Sequence, residues 1–467
     1  MTIPSTPSDN ADAGPRRTKK SPGLGTILTG LLLVGLVTGG GLWYYASHAA
    51  DERLAIQLAK VRARGEPLTL DALNEYYEPA SNRPDMTREL VKALKACDAD
   101  DLKALAATLP IVGQGADIPP PPGPWLQLEE VDAYLARHDA ALKTFREVAR
   151  QDGTARYPAD FRGGFATLIP HAQSIRQAAR VLTLQFHVNL HRNRPQEAVD
   201  SILEQIALAR TLDQEPILVS QLVRLAIAGT VIENVQHALR HAEVADADLA
   251  RLQLGLRKFD HQSSVCRALA GERAMSYTAC IDPNMAQTAI ATGQPGPFAG
   301  RASSRVADAT KMLEMNLRIA EAARQSPYAM LQETDQTEVE RKQLSQGVWN
   351  RYSYALTVLL TPAYRQSITA FCRAVAKRDC ADAALAAERY RRQHGKLPES
   401  LEQLVPEFLP SVPVDPFSNE PLKILLTAGE LRIYSVGRDR KDNQGTFSER
   451  EDPNTDLGFV LPAPGQK

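Results

Sequence analysis

Residues 216–241 have the sequence PILVSQLVRLAIAGTVIENVQHALRH, and this stretch decides the fold class. In a helical conformation, apolar side chains cover nearly every side of the segment. This pattern is typical of a helix that lies buried at the centre of a bundle. Ser220, Gln221 and Arg224 interrupt the apolar run too often for a membrane span. We therefore predict the central core helix of a mainly α-helical domain.

Apolar residues recur at helical spacing on both sides of this segment. The spacing predicts further helices at 126–150, 172–191, 196–213, 305–326, 328–346 and 362–393. Short turns separate the central helices, so we expect neighbours in the chain to run antiparallel. The stretch RNRPQEAVDSILEQIALARTL is similar to a tetratricopeptide-type helix, which leaves a repeat array as the alternative. No fixed period recurs along the chain, and an irregular helical bundle is therefore favoured.

Two segments interrupt the helical pattern. Residues 118–125, IPPPPGPW, cannot form a helix, because consecutive prolines remove backbone donors and impose extended geometry. Residues 282–304 are rich in glycine, proline and small side chains, and they exceed the length of an ordinary connection. We predict a proline-rich connector and a flexible loop, respectively, within one helical domain at 48–361.

The N-terminal part of the chain has the features of a membrane anchor. An uncharged apolar run at 24–45 follows four basic residues and ends in three aromatic ones: Arg16, Arg17, Lys19, Lys20, Trp43, Tyr44 and Tyr45. About 20 apolar residues span a bilayer, and the basic side usually stays in the cytoplasm. The pattern predicts a cytoplasmic tail at 1–22 and a transmembrane signal anchor at 23–47. The rest of the chain is then expected in the periplasm, held at a bacterial inner membrane.

A cleaved signal peptide is the alternative interpretation of this N-terminus. Its apolar region is usually shorter and is followed by small residues at a cleavage site, whereas aromatic residues stand at that position here. Within the apolar run, Gly35 and Gly39 form a GxxxG pair that lets two membrane helices approach closely. Self-association through this pair is a further hypothesis.

Composition excludes some functions. The chain of 467 residues has 54 basic and 55 acidic side chains, a formal net charge of −1, so no overall field favours nucleic acid. The five cysteines lack the CxxC spacing of zinc ribbons and thioredoxin-like redox pairs. A disulfide is permitted outside the cytoplasm. The pair most compatible with one is Cys266 with Cys280.

The C-terminal part carries the most specific pattern in the chain. Residues 384–443 combine a helix with Tyr390 near its end, an Asp415-Pro416 turn and the strand-like run Tyr434-Ser435-Val436-Gly437. In order and spacing this resembles the C-terminal domain of the type II secretion major pseudopilin, which is a building block and not a catalyst. The resemblance implies a small α+β domain, here 362–467 with its long helix. Two short strands are expected around Gly429.

The pseudopilin resemblance also implies a calcium site in the loop that follows these strands. Asp439 and Asp456 are the ligands that we favour, and the remaining oxygen donors are Asp442, Ser435, Asp452 and Asn443. Carboxylate, hydroxyl and amide oxygens in a flexible loop suit Ca²⁺. The alternative is a solvated acidic loop whose charge is neutralised by the basic residues Arg438, Arg440 and Lys441.

The N-terminus departs from the pseudopilin pattern, since no short leader ending in glycine precedes an apolar run with a glutamate near its start. We therefore do not expect processing or filament assembly. Residues 65–273 are similar instead to a helical region of uncharacterised bacterial membrane-anchored envelope proteins. That likeness implies no activity.

Some polar residues in the helical part stand out. His187 with His191, and His237 with His241, are i,i+4 pairs that share a helix face, as metal ligands do, but two histidines make an incomplete site. Hydrogen bonding within the helix is the simpler interpretation. Arg224 lies in the most apolar segment and must be paired or contact a ligand. Partners considered for Arg224 are bundle glutamates such as Glu204 and Glu215.

These patterns favour a membrane-anchored extracytoplasmic interaction or structural protein, associated with type II secretion or pilus-like machinery. No motif for a hydrolase, nucleotide-binding or serine-nucleophile site is convincing. The first alternative is an enzyme or ligand-binding bundle with its site around Arg224, His171 and the His187/His191 pair. The second is a calcium-stabilised structural protein without a secretion link.

Overall fold

The computed structural model describes residues 1–2, 24–282, 284–285, 305–427, 429–448, 452 and 454–462. It divides the chain into two compact units, Met1–Arg53 and Leu54–Lys467. The predicted basic cluster at 16–20 and nearly all of the predicted loop at 282–304 lie outside the described residues.

The described part of the chain is mainly helical, as predicted. Its α-helices are α1 Leu24–Ala63, α2 Leu70–Tyr76, α3 Thr87–Cys97, α4 Asp100–Ala106, α5 Leu128–Arg137, α6 Asp139–Gln151, α7 Pro170–His191, α8 Pro195–Arg210, α9 Leu218–His241, α10 Asp246–Arg257, α11 His261–Ile281, α12 Arg305–Gln325, α13 Pro327–Leu344, α14 Val348–Ser353 and α15 Ala355–His394. Two 3₁₀ helices, Phe161–Ala166 and Leu401–Leu404, lie in connections. The predicted helix at 126–150 is two helices that meet at His138.

Helix α9 is the segment with which the sequence analysis began. It packs against α7, α8, α11 and α15 and is buried along most of its length. Helix α9 is also long and apolar enough to cross a membrane, with a mean hydropathy of 1.3 over the best window. Since 67% of that window is buried inside the protein, a core helix meets the same criteria.

The long helix α15 begins seven residues before the predicted start at 362. The carboxylate of Asp308, on α12, accepts hydrogen bonds from the backbone N–H groups of Leu356 (2.8 Å) and Thr357 (2.9 Å). It thereby satisfies donors that the first turn of any helix leaves unpaired. The end of α15 agrees with the prediction, because Gly395 adopts the left-handed conformation (φ 73°) that caps a helix.

The C-terminal sheet has three antiparallel strands in the order β1-β2-β3: Lys423–Leu426, Glu430–Ser435 and Leu457–Pro462. The first two are the predicted pair around Gly429, and the third was not predicted. Helix α15 packs on β2 and β3, and α9 packs on β3. The sheet side chains Leu431, Ile433 and Phe459 belong to the same hydrophobic core as Val231 of α9. The sheet and the helices therefore share one core, and the predicted boundary at 361/362 falls inside α15.

The cysteines form no disulfide. Cys266 and Cys280, the pair suggested by the sequence, both lie on α11. Fourteen residues of a continuous helix separate them by about 21 Å, far beyond the reach of a disulfide. That expectation was wrong because the two residues share one helix.

Helix α11 approaches the connection between α8 and α9 very closely at Gly271. A Cβ atom at this position would lie 1.6 Å from the carbonyl oxygen of Pro216. Only glycine permits this backbone contact, which holds the start of α9 against α11.

We predict that Gly271→Ala destabilises the protein by about 1–3 kcal/mol or more, because the backbone of the α8–α9 connection must move. Gly229→Ala in α9 is the matched control, since within the described residues nothing lies within 4 Å of its added methyl group. We expect it to be neutral or stabilising by about 0.5–1 kcal/mol. Chemical denaturation of the full chain in detergent measures both. Equal effects at the two sites would contradict the contact.

Candidate functional site

Arg224 is fully buried at the start of α9 and is paired with an aspartate. Its Nε lies 2.7 Å from Asp213 Oδ1 in an ion pair, and its Nη2 donates to the carbonyl oxygen of Asp260 (3.2 Å). A ring nitrogen of His261 lies 3.3 Å from Nη1. The prediction that Arg224 pairs with an acidic side chain therefore agrees with the structure. The choice of Glu204 or Glu215 as the partner was wrong.

Asp213 is the centre of a larger charge network. Besides Arg224, its carboxylate faces Arg83 (3.5 Å) and Arg210 (3.6 Å), and both of these guanidinium groups also contact Asp152. Burial raises the pKa of Asp213, and the three arginines oppose that shift. The network therefore keeps a buried charge paired on every side, and it holds the connection between α8 and α9 to the rest of the helices.

The two glutamates proposed as partners of Arg224 have other roles. Glu215 binds the ring Nε2 of His171 at 2.9 Å, and that ring stacks on Tyr157 with 4.7 Å between centroids. Glu204 pairs with Arg146 at 3.2 Å, and burial raises the pKa of Glu204 to about 7. Each of these carboxylates therefore already has a partner, His171 or Arg146, and the sequence alone did not identify it.

The enzymatic site considered in the sequence analysis does not form. Arg224 is fully buried and His171 is 8% exposed, and each is held in its own polar network. His187 lies 16 residues farther along α7 than His171, a distance of about 24 Å. These groups therefore do not converge on one cavity.

The two histidine pairs do meet, although no sequence pattern placed them together. The rings of His187 on α7 and His237 on α9 have centroids 5.0 Å apart, and His241 follows His237 at 4.5 Å. His191 Nδ1 lies 3.0 Å from the carbonyl oxygen of His187, which is the predicted bond within the helix. Among the described residues, no three histidine, cysteine, aspartate or glutamate side chains are arranged to hold a metal ion.

Burial and neighbouring basic side chains keep His187 and His237 neutral. Burial, followed by the charges of His237, His191 and His241, lowers the pKa of His187 to about 3. Burial and the same cluster lower the pKa of His237 to about 4. At neutral pH the rings of His187 and His237 are therefore uncharged.

A cavity of about 420 Å³ lies beside this cluster, between α7 and α9. Its polar or charged lining residues include Arg176 and Arg180, which the sequence analysis did not single out. Both side chains are exposed to solvent. Two basic residues at i,i+4 spacing on α7 were visible in the sequence, but only the packing of α9 turns them into the wall of a cavity.

The predicted calcium ligands lie in and around the loop after β2, in partly separate clusters. Asn443 links two of them, because its side-chain amide donates to Asp439 (3.1 Å) and its backbone N–H donates to Asp456 (3.2 Å). Asp442 instead faces Lys423 at 3.2 Å. Asp452 accepts from the backbone N–H of Asn454 (2.9 Å).

Ser435, the remaining predicted ligand, serves the fold. It is fully buried, and its hydroxyl donates to Asp415 (2.7 Å). The other Asp415 oxygen accepts the backbone N–H of Val436 (2.8 Å), so Asp415 ties the Asp-Pro turn to the end of β2. Burial raises the pKa of Asp456, and the nearby carboxylates of Asp442 and Asp439 add to the shift. The described residues show a cluster of carboxylates without a converging ligand set, so calcium binding stays a prediction.

No protein-family model, curated protein or solved structure matches this chain. The resemblance of 384–443 to pseudopilins therefore rests on the residues that suggested it.

We predict that acid destabilises the fold through the histidine cluster. In the unfolded chain, His187 and His237 take up protons near pH 6.5. In the folded protein, the same two side chains stay neutral down to about pH 3 and pH 4, respectively. Their contribution to stability is complete above pH 7 and falls as the pH drops below 6.5. Denaturation midpoints at pH 7.5, 6 and 5 should fall less steeply for His187→Asn/His237→Asn than for the wild type. Identical slopes for the double variant and the wild type would refute the prediction.

We predict that calcium raises the melting temperature of the full chain, and that Asp439→Asn abolishes this increase. The melting temperature of Asp439→Asn in a chelator should remain close to that of the wild type, because an asparagine oxygen still accepts the hydrogen bond from the backbone of Lys441. Asp117→Asn, at an exposed position far along the chain, is the control that should retain the response. A wild-type melt unaffected by calcium or chelator would rule out the site.

Proposed function

We propose that this chain is a membrane-anchored, non-catalytic interaction protein of the bacterial envelope that works with type II secretion or pilus-like machinery. Three features support the proposal: the N-terminal apolar helix, the fused C-terminal α+β region and an exposed aromatic patch on α14. The α14 patch is the observation that supports the proposal most directly.

The anchor is supported by the composition of the start of α1. The helix begins at Leu24, and its first 22 residues carry no charge. A helix satisfies its own backbone hydrogen bonds, as a span must in lipid. Because basic residues precede this helix in the sequence, the N-terminus is expected in the cytoplasm and the bulk of the chain in the periplasm.

The α14 patch consists of Val348, Trp349 and Arg351 on a short helix. Val348 is 71% exposed and Trp349 is 82% exposed, although a tryptophan usually buries most of its surface. Arg351 is exposed beside them. Tryptophan and arginine are the side chains most enriched at the energetic centres of protein interfaces.

The patch lies on a fixed support. Helix α14 packs against α12 and α15, and the start of α15 is held by the buried carboxylate of Asp308. Because α14 packs against two helices of the body, a partner that binds the patch would have less backbone freedom to restrict than on a free segment.

The C-terminal region supports an accessory role and not that of a filament subunit. Its helix α15 is also a core helix of the body, since the first half contacts α13 and the second half lies under the sheet. A module fused in this way is presented to partners by the anchored body.

We predict that Trp349→Ala removes cross-links between α14 and a type II secretion or pilus component in intact cells, because the change deletes the aromatic anchor of the patch. The protein should melt at the wild-type temperature, since the side chain is exposed. Cross-linking followed by mass spectrometry, with the linked peptides identified, is the measurement.

Leu126→Ser is the control, because Leu126 is 98% exposed on a different connection. It should leave all cross-links in place. Cross-links of the wild type that reach only other copies of this chain would contradict the secretion association, and cross-links that persist in Trp349→Ala would contradict the role of the patch.

A further inference from the structure

We propose that the cavity between α7 and α9 binds a small organic carboxylate with an uncharged apolar body, whose acidic group is held by Arg176 and Arg180. This site is separate from the α14 patch and does not depend on the proposed secretion role.

The two arginines are in a position to share one anionic group. They are four residues apart on α7, so their side chains extend from the same face of the helix. Within the described residues neither guanidinium has a hydrogen bond or an ion pair. Most other arginines of the helical part are paired with carboxylates, as Arg146 is with Glu204. Guanidinium groups bind carboxylates through paired, charge-assisted hydrogen bonds.

The floor of the cavity is apolar and suits an uncharged ligand body. It is formed by Ala179 of α7, by Ala226 and Ile227 of α9, and by Ile111 from an earlier connection. The hydroxyl of Thr183, which also lines the cavity, is already bonded to the carbonyl oxygen of Ala179 (3.0 Å). The volume of about 420 Å³ lies within the range of small-molecule sites.

The part of the cavity wall beside the histidine cluster is polar. His187 and His237 line it, and their rings remain neutral at physiological pH. The distance along α7 from Arg176 to His187 is 11 residues, or about 16 Å. The cavity lining thus extends along α7, with its two arginines toward one end.

The charges of the lining limit the ligand to a single negative group. Two arginines and one glutamate, Glu233, line the cavity, so the sum of their charges is +2 − 1 = +1. A monocarboxylate of about eight carbons combines the required charge, length and apolar surface.

The probe is octanoate, titrated calorimetrically into the full chain in nanodiscs of zwitterionic lipid, with empty nanodiscs subtracted. We expect saturable 1:1 binding. Acetate lacks the apolar body and octanol lacks the charge, so each should bind at least tenfold more weakly. The double variant Arg176→Gln/Arg180→Gln should lose at least tenfold in affinity without a change in melting temperature, because both side chains are exposed.

Arg88→Gln is the matched control, since Arg88 is exposed on α3 and does not line the cavity. It should bind octanoate like the wild type. Absence of saturable binding, or equal affinity in the double arginine variant, would overturn the proposal. Displacement of octanoate when the nanodiscs contain phosphatidylglycerol would also overturn it, and would assign the two arginines to a lipid headgroup.

Discussion

The ion pair between Arg224 and Asp213 is the constraint on which the rest of the structure depends. A guanidinium with no exposed surface costs several kcal/mol unless a carboxylate compensates it. Asp213 supplies that charge from the connection between α8 and α9, so this connection can adopt only the path that brings the two groups to 2.7 Å. The same path places Pro216 against Gly271 of α11. The central helix, its neighbours and the sheet on α15 are arranged around this crossing.

Much of the helical fold could be predicted because it is encoded locally. The apolar periodicity of α7, α8 and α9 and the glycine cap of α15 follow from short stretches of sequence. The features that were missed depend on residues far apart in the chain. The partner of Arg224 depends on the turn that brings Asp213 back toward α9. The early start of α15 depends on Asp308, 47 residues before Ala355.

The candidate sites show the same limit. The i,i+4 histidine pairs were evident, but their meeting across α7 and α9 depends on helix packing, as does the cavity beside them. The residue type does not determine how exposed a side chain is. A sequence pattern would assign the apolar Trp349 to a core, whereas it is 82% exposed in the structure. The acidic tail residues lie in and around the loop after β2. Which carboxylate contacts Asn443, Lys423 or a backbone N–H group depends on how the loop folds, and the sequence does not show it.

The central claim is that Arg224 is structural and that Asp213 is the partner it requires. A double-mutant cycle with Asp213→Ala and Arg224→Met, measured by chemical denaturation of the full chain, tests it most directly. Asp213→Ala should cost about 3–5 kcal/mol, because it leaves the Arg224 guanidinium buried without its carboxylate. Arg224→Met should cost less, because Arg83 and Arg210 still face the Asp213 carboxylate. The double variant should cost far less than the sum of the two single changes. Additive losses would contradict the account and show that the two charges are stabilised independently.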